Sequence, residues 1–354
     1  MTEPKKVVVG ISVGDLNGVG AEVIIKTFED SRMLDFCTPV IFGSVRFISF
    51  VKKLLSSELN FHGIDKLEDI IPNRVNVLNV WKEHVDISPG EENTVGGTYA
   101  LKSLEASVYA LKNNEIDVLV TAPIHKKNIQ SEKFHFPGHT DYLAQELEGE
   151  SLMFMLSEDL RVGLVTDHVP LKEVVQTLSA RRIEKKIELM HQSLKEDFGI
   201  IKPKIAVLSV NPHAGDGGVI GTEDDTLLKP LIENLRNKDK LIFGPYAADG
   251  FFGSRNYKNF DAVLGCYHDQ GLIPFKTLSF GRGVNFTAGL SKVRTSPDHG
   301  TAFDIAGKNI ASCDSFREAV YSAIDIFKQR EEYKILNANP LEISQKRSSS
   351  KKRF

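Results

Sequence analysis

The sequence predicts an α/β protein of two lobes, the second built on a mixed sheet. Short β-rich apolar runs alternate with helical periodicities along most of the chain, the pattern of parallel strands joined by crossover helices. Two apolar runs, 152–156 and 162–166, flank the polar turn Ser157-Glu158-Asp159 and predict an antiparallel hairpin. The length of 354 residues exceeds the roughly 250–300 at which one hydrophobic core stops growing, hence two lobes.

The elements follow in chain order. A strand over 7–13 leads through the loop Gly14-Asp-Leu-Asn-Gly-Val-Gly20 into a helix over 21–30, and further strands are expected at 39–42, 75–80 and 117–121. The last of these follows a helix that sets Leu101, Leu104, Val108 and Leu111 on one face. Beyond the hairpin, helices over 180–197 and 222–237 enclose a strand over 205–210, and strands return near 241 and at 262–266 and 284–288. A final helix from 314 to about 333, with Asp314 as its expected N-cap, carries Phe316, Val320, Ala323, Ile324 and Phe327 on one side.

Composition narrows the function classes. Hydrophobic residues at 41% and charged residues at 26% exclude wholesale disorder and collagen-like or membrane-embedded chains. A net charge of -3 argues against a general nucleic-acid binder. The segment 344–354 holds five basic and no acidic residues and reads as a disordered basic tail; without it 39 basic residues face 47 acidic ones. Cys37, Cys266 and Cys313 are sparse and unpaired in spacing, which predicts reduced thiols in the cytoplasm. No run approaches the roughly 18 apolar residues of a membrane span, and the first apolar run has the shape of a buried strand rather than a signal core.

The chemistry-bearing residues gather at predicted strand ends. His168, His213 and His268 each follow a strand, where ligands of open α/β sheets collect. Three neutral imidazoles with an open fourth position suit a divalent metal such as Zn²⁺. Their separations of 45 and 55 residues form no local ligand signature, so hydrogen-bonded or purely catalytic histidines remain the alternative. Cys266, two residues before His268, reads as a small buried hydrophobe rather than a thiolate ligand. Lys276, Asn285 and Arg294, in or beside strands or glycine turns, offer the point charge and planar fork that bind phosphate and carboxylate; surface cations are the alternative. His139 and Thr140 sit where a glycine-led loop enters a helix, a place for an anion or for simple capping by Thr140. His125, Lys126 and Lys127 close a strand as site residues or a solvated turn. Neither glycine loop, 14–20 or 215–221, has the dinucleotide spacing G-x-G-x-x-G, and no P-loop motif occurs.

Taken together, the motifs resemble one family, the 4-hydroxythreonine-4-phosphate dehydrogenases of pyridoxal phosphate biosynthesis. They are the segment 14–22, Val120-Thr-Ala-Pro-Ile-His-Lys126, Phe136-Pro-Gly-His-Thr140, Asp167-His-Val-Pro-Leu171, Asn211-Pro-His-Ala-Gly-Asp-Gly-Gly218, Tyr267-His-Asp-Gln-Gly271 and Phe280-Gly-Arg-Gly-Val-Asn285 through Arg294-Thr-Ser-Pro-Asp-His-Gly-Thr-Ala302. The resemblance implies His168, His213 and His268 as metal ligands and His139, Thr140, Lys276, Asn285 and Arg294 as substrate contacts. It also implies a fold similar to the isocitrate and isopropylmalate dehydrogenases, and a homodimer with each active site in the inter-lobe cleft at the subunit interface. Gly300, Thr301 and Asp304 lie in a segment that looks like the adenosine-binding loop of those dehydrogenases, although position 303 is Phe where they usually carry Pro.

The implied reaction is NAD(P)-dependent oxidation of 4-phosphooxy-L-threonine, aided by Zn, Mg or Co, to 2-amino-3-oxo-4-phosphooxybutanoate. Loss of CO₂ then leaves 3-amino-2-oxopropyl phosphate. Lys276 or Asp269 is the expected proton carrier. Two alternatives stay open: a related dehydrogenase of a phosphorylated threonate or erythronate, and a non-redox nucleotide- or phosphate-binding protein. The expected lobes are 1–130 with 290–343, and 131–289; neither nucleic acid nor membrane is expected as a partner.

Overall fold

The computed structural model describes residues 6–340 except 132, 133, 137 and 148, and leaves the side chains of 139–141 undescribed. The predicted tail at 344–354 lies outside the described residues, as do the side chains of His139 and Thr140. Among the described residues there are twelve strands: β1 (Val7–Ser12), β2 (Cys37–Gly43), β3 (Phe61–Ile64), β4 (Val75–Asn79), β5 (Val118–Thr121), β6 (Gly149–Leu156), β7 (Arg161–Leu164), β8 (Lys204–Leu208), β9 (Leu241–Tyr246), β10 (Ala262–Gly265), β11 (Val284–Leu290) and β12 (Val293–Pro297). The α-helices are α1 (Gly20–Glu29), α2 (Val45–Leu54), α3 (Thr94–Lys112), α4 (His139–Glu146), α5 (Leu171–Thr177), α6 (Ala180–Glu196), α7 (Lys229–Asn237), α8 (Ala248–Gly253), α9 (His268–Ser279) and α10 (Asp314–Asn337).

The strands form one sheet in the order β3-β4-β2-β1-β5-β12-β11-β6-β7-β10-β8-β9. From β3 to β12 every neighbour is parallel; β12, β11, β6 and β7 then pair antiparallel in succession, and β7, β10, β8 and β9 are again mutually parallel. The predicted α/β class and mixed sheet are borne out. Strands β1, β2, β5, β10 and β12 are buried almost throughout, which explains why they read as continuous apolar runs rather than alternating ones.

Four local expectations need correction. Asp314 is the first helical residue of α10, not its cap; Cys313 holds the cap position and the Ser312 hydroxyl accepts the Asp314 N–H at 3.2 Å. Gly138, not Thr140, holds the N-cap position of α4. The helix expected over 222–237 opens as a wide π-type turn, Asp224–Leu228, before α7. There the buried Asp224 carboxylate turns inward to accept the backbone N–H groups of Val210 and Asn211 at 2.8 and 3.0 Å. Finally, Lys276 lies inside α9 rather than beside a strand, because the helix opened by His268 runs on to Ser279. Among the described residues no helix is long and apolar enough to cross a membrane.

Candidate active site

Strand β12 shows how the sheet makes a site. Its five residues, Val-Arg-Thr-Ser-Pro, are all buried, and alternate side chains leave opposite faces. Thr295 donates its hydroxyl to the Ala319 carbonyl of α10 at 2.7 Å, which assigns that face to helix packing. Arg294 and Ser296 leave the other face, where Asn285 of β11 stands directly across from Ser296. Together with Thr121, Met153, Lys126, His168, His299 and Gly300 these residues line a cavity of about 210 Å³. Its size suits a small polar metabolite better than a bulky ligand.

Arg294 dominates this cavity. It is 1% exposed, and burial pulls its guanidinium down to about 9, with no charge among the described residues contributing. Its Nε and Nη2 donate to the Thr121 hydroxyl at 3.1 and 2.5 Å, and its Nη1 to the Thr287 hydroxyl at 3.1 Å. Both threonines are neutral, so they orient the fork without cancelling its charge. A buried cation without a counter-ion costs several kcal/mol, which a bound anion offsets. By contrast, the larger cleft of about 550 Å³ between α6 and α10 contains Arg330 already paired with the Asp197 carboxylate.

The histidines follow β7, β10 and β8, three adjacent parallel strands, His268 as the first residue of α9. Hydrogen bonds fasten these loops side by side. Val165 N–H donates to Gly265 O at 2.9 Å, and the Thr166 hydroxyl donates to Cys266 O at 2.8 Å. Gln270 accepts the Cys266 N–H at 2.7 Å and donates to Ser209 O at 2.6 Å, tying the end of β10 to that of β8. The His168 and His268 rings lie 5.9 Å apart, centroid to centroid. His268 Nδ1 meets Asp269 Oδ1 at 2.7 Å; with the proton on Nδ1, Nε2 keeps a free lone pair, the arrangement typical of metal-binding imidazoles.

His213 occupies a tight left-handed turn in which three non-glycine residues, His213, Ala214 and Asp216, all have positive φ. Such strain concentrates at functional loops. Among the described residues no group of three His, Cys, Asp or Glu side chains stands close enough to hold a metal, so within one chain the three histidines follow neighbouring strand ends without closing into a centre. Cys266 is fully buried, its Sγ 3.3 Å from Leu208 O and its thiol pushed up to about 12, as a small core residue.

Lys276 Nζ lies 3.1 Å from Asp298 Oδ1 and 3.3 Å from the Asp298 carbonyl oxygen. Burial raises the Asp298 carboxyl above its ordinary range, against the pull of Lys276. Gly283 is required beside it, since a Cβ there would stand 2.8 Å from Asp298 Oδ2. Of the proposed cofactor residues, Gly300 lines the cavity, Thr301 is buried with its carbonyl accepting Val19 N–H at 2.9 Å, and Asp304 is exposed. Their loop therefore rests on the glycine loop that opens α1, and Phe303 meets the His125 ring edge-on at 5.3 Å. Thr121, Thr287, Ser296, Asp298 and His299 carried no separate signal in the sequence, although several fall within the motifs that resemble the family.

Fold and site define an α/β protein with a small, cationic, anion-seeking pocket on its sheet, near a row of histidine-bearing strand ends. The chain belongs to the family of the pyridoxal phosphate biosynthetic protein PdxA, whose model matches residues 35–323. The family read from the motifs is thus borne out. The chain is 48% identical over 341 residues to 4-hydroxythreonine-4-phosphate dehydrogenase of Bacteroides thetaiotaomicron, covering 96% of this chain and 94% of the relative. It is 35% identical to D-threonate 4-phosphate dehydrogenase of Cupriavidus necator, covering 91% and 98%. The crystal structure of 4-hydroxythreonine-4-phosphate dehydrogenase from Klebsiella pneumoniae superposes with a TM-score of 0.78 at 31% identity, covering 91% of this chain and all of that one.

Proposed function

We propose that the protein oxidises 4-phosphooxy-L-threonine with NAD or NADP in pyridoxine 5'-phosphate biosynthesis, the 2-amino-3-oxo product losing CO₂ to give 3-amino-2-oxopropyl phosphate. The observation that carries this reading is Arg294, a buried cation with no counter-ion among the described residues, in a pocket of metabolite size. The greater identity to the hydroxythreonine phosphate enzyme than to the threonate phosphate enzyme favours the amino acid substrate.

Arg294 would take a substrate anion through its fork, with Thr121 and Thr287 setting the angle. Asn285 would hold the substrate over β11, and the loop of Gly300, Thr301 and Asp304 would carry the nicotinamide nucleotide. His168, His213 and His268 suit a divalent cation in their donor chemistry, and Asp269 would hold His268 in the ligating tautomer. Such a cation supplies Lewis-acid polarisation of the reacting oxygen, and the nucleotide accepts hydride. Lys276, held by Asp298 beside the pocket residue His299, would move the proton.

A homodimer that completes the site is part of this reading. Exposed apolar side chains flank all three histidine loops: Leu171 and Val175 after His168, Val219 and Ile220 after His213, and Ile273, Leu278 and Phe280 after His268. An apolar rim of this kind is what a second copy would cover. The lobe division at 130 and 290 is also proposed; strands from 7–121 and 293–297 make up one half of the sheet order and those from 149–290 the other. The test is NADH or NADPH formation with 4-phosphooxy-L-threonine, 4-phospho-D-threonate and 4-phospho-D-erythronate, with divalent metal and with a chelator. Metal-dependent turnover of the first substrate is expected, and its absence would refute the reading.

A further inference from the structure

A second cavity lies behind the Arg294 pocket. It encloses about 390 Å³ between α10, the turn joining β6 to β7 and the start of β11. Val284 lines it, while the next residue, Asn285, lines the Arg294 pocket. Successive residues of a strand face opposite ways, so the two cavities occupy opposite faces of the sheet.

Five charged side chains of both signs line this second cavity: Arg161 and Arg282, with Glu158, Glu318 and Asp325. Among the described residues none of the five is in salt-bridge contact with an opposite charge. Their supports explain why they stay apart. The Arg161 guanidinium lies over the Phe198 ring, 4.7 Å from its centre, and donates to the Asp261 carbonyl at 3.4 Å. Stacking therefore fixes it on the sheet side, and burial holds it below its ordinary value despite the pull of Asp261. Glu318 and Asp325 come from the helix side, on one face of α10 with Ser322 between them. A simple anion would answer the arginines and crowd the carboxylates, and a simple cation would do the reverse. A molecule with a carboxylate at one end and an ammonium at the other answers both, the planar forks taking the carboxylate. The volume is that of a small-metabolite site.

We propose that this cavity is an effector site for a zwitterion of amino-acid type, its carboxylate held by Arg161 and Arg282 and its ammonium by Glu318 and Asp325. The connection to the Arg294 pocket is short. The Ser315 hydroxyl, in the first turn of α10, donates to Gly283 O at 2.6 Å and accepts the Asp298 N–H at 2.9 Å. One turn on, Ala319 O receives the Thr295 hydroxyl at 2.7 Å. A ligand that draws α10 and residue 282 together thus acts on Asp298, the partner of Lys276, and on the strand that carries Arg294.

The test is calorimetric titration of the full chain with glycine, L-serine, L-threonine, L-glutamate and L-phenylalanine, with acetate and methylammonium as single-charge controls. At least one amino acid should bind tenfold or more tightly than either control, and roughly tenfold or more weakly to Arg161→Met and to Glu318→Gln. Binding should survive in Arg294→Met, which separates this cavity from the substrate pocket. Saturating wild type with that amino acid should change kcat/KM for 4-phosphooxy-L-threonine roughly fivefold or more, and should leave Arg161→Met unchanged. No amino acid bound, acetate bound equally well, or binding lost in Arg294→Met but kept in Arg161→Met would overturn the site. Binding with no change in rate would overturn the effector role. If Arg161→Met fails to fold, Glu318→Gln, on the solvent side of α10, carries the comparison. A wild type inactive on 4-phosphooxy-L-threonine refutes the substrate reading instead, and the titrations still decide whether the cavity binds.

Discussion

Replacing Arg294 with Met should separate stability from binding, with a change in unfolding free energy of at most about 3 kcal/mol. The fall of the guanidinium from its ordinary value to about 9 corresponds to ~5 kcal/mol against the charged form, at 1.36 kcal/mol per pKa unit. For a base whose folded value is lowered, that penalty is full at every pH below the folded value and eases only as pH rises past it. At pH 7 it is therefore undiminished. Removing the charge relieves the penalty, while the Thr121 and Thr287 hydroxyls lose their donors, a cost of about 1–3 kcal/mol each. The two effects oppose each other, which keeps the change in unfolding free energy for Arg294→Met within about 3 kcal/mol. Substrate recognition has no such offset: loss of a buried cation facing a bound anion costs roughly 2–5 kcal/mol, or about 30- to 5000-fold in kcat/KM. Urea unfolding and NADH formation on the same preparation measure both. A variant several kcal/mol less stable, or one within a few-fold of wild-type activity, would refute the view that this cation is kept for an anion.

The remaining predictions address the histidine row and the thiols. Asp269→Asn should release His268 from its fixed tautomer and weaken divalent-metal binding by roughly 10- to 100-fold, read by calorimetric titration with Zn²⁺. Gln270→Leu should leave Cys266 N–H and Ser209 O without their partner and cost roughly 2–4 kcal/mol, with amide exchange accelerating first at the ends of β8 and β10. Native protein at pH 8 should react with a thiol reagent through Cys313 alone, because Cys37 and Cys266 are buried and pushed up to about 12; all three thiols should react in denaturant.

By itself the sequence determined the α/β class, the hairpin of β6 and β7, and the strand ends that carry chemistry, because these depend on local periodicity and on which residue types follow an apolar run. His168, His213 and His268 were legible for that reason, as were Asn285 and Arg294, which the family motifs made substrate contacts. Periodicity missed β12, since an arginine at its second residue breaks the apolar run. Only the tertiary structure decided that this arginine is buried, because its two hydroxyl partners come from β5 and β11, and Thr121 lies 173 residues away in sequence. The adjacency of β7, β10 and β8, the pairing of Lys276 with Asp298, and the place of His299 in the Arg294 pocket arise in the same way. Each is a contact between segments distant in the chain, where sheet order, rather than any property of one segment, sets which groups meet.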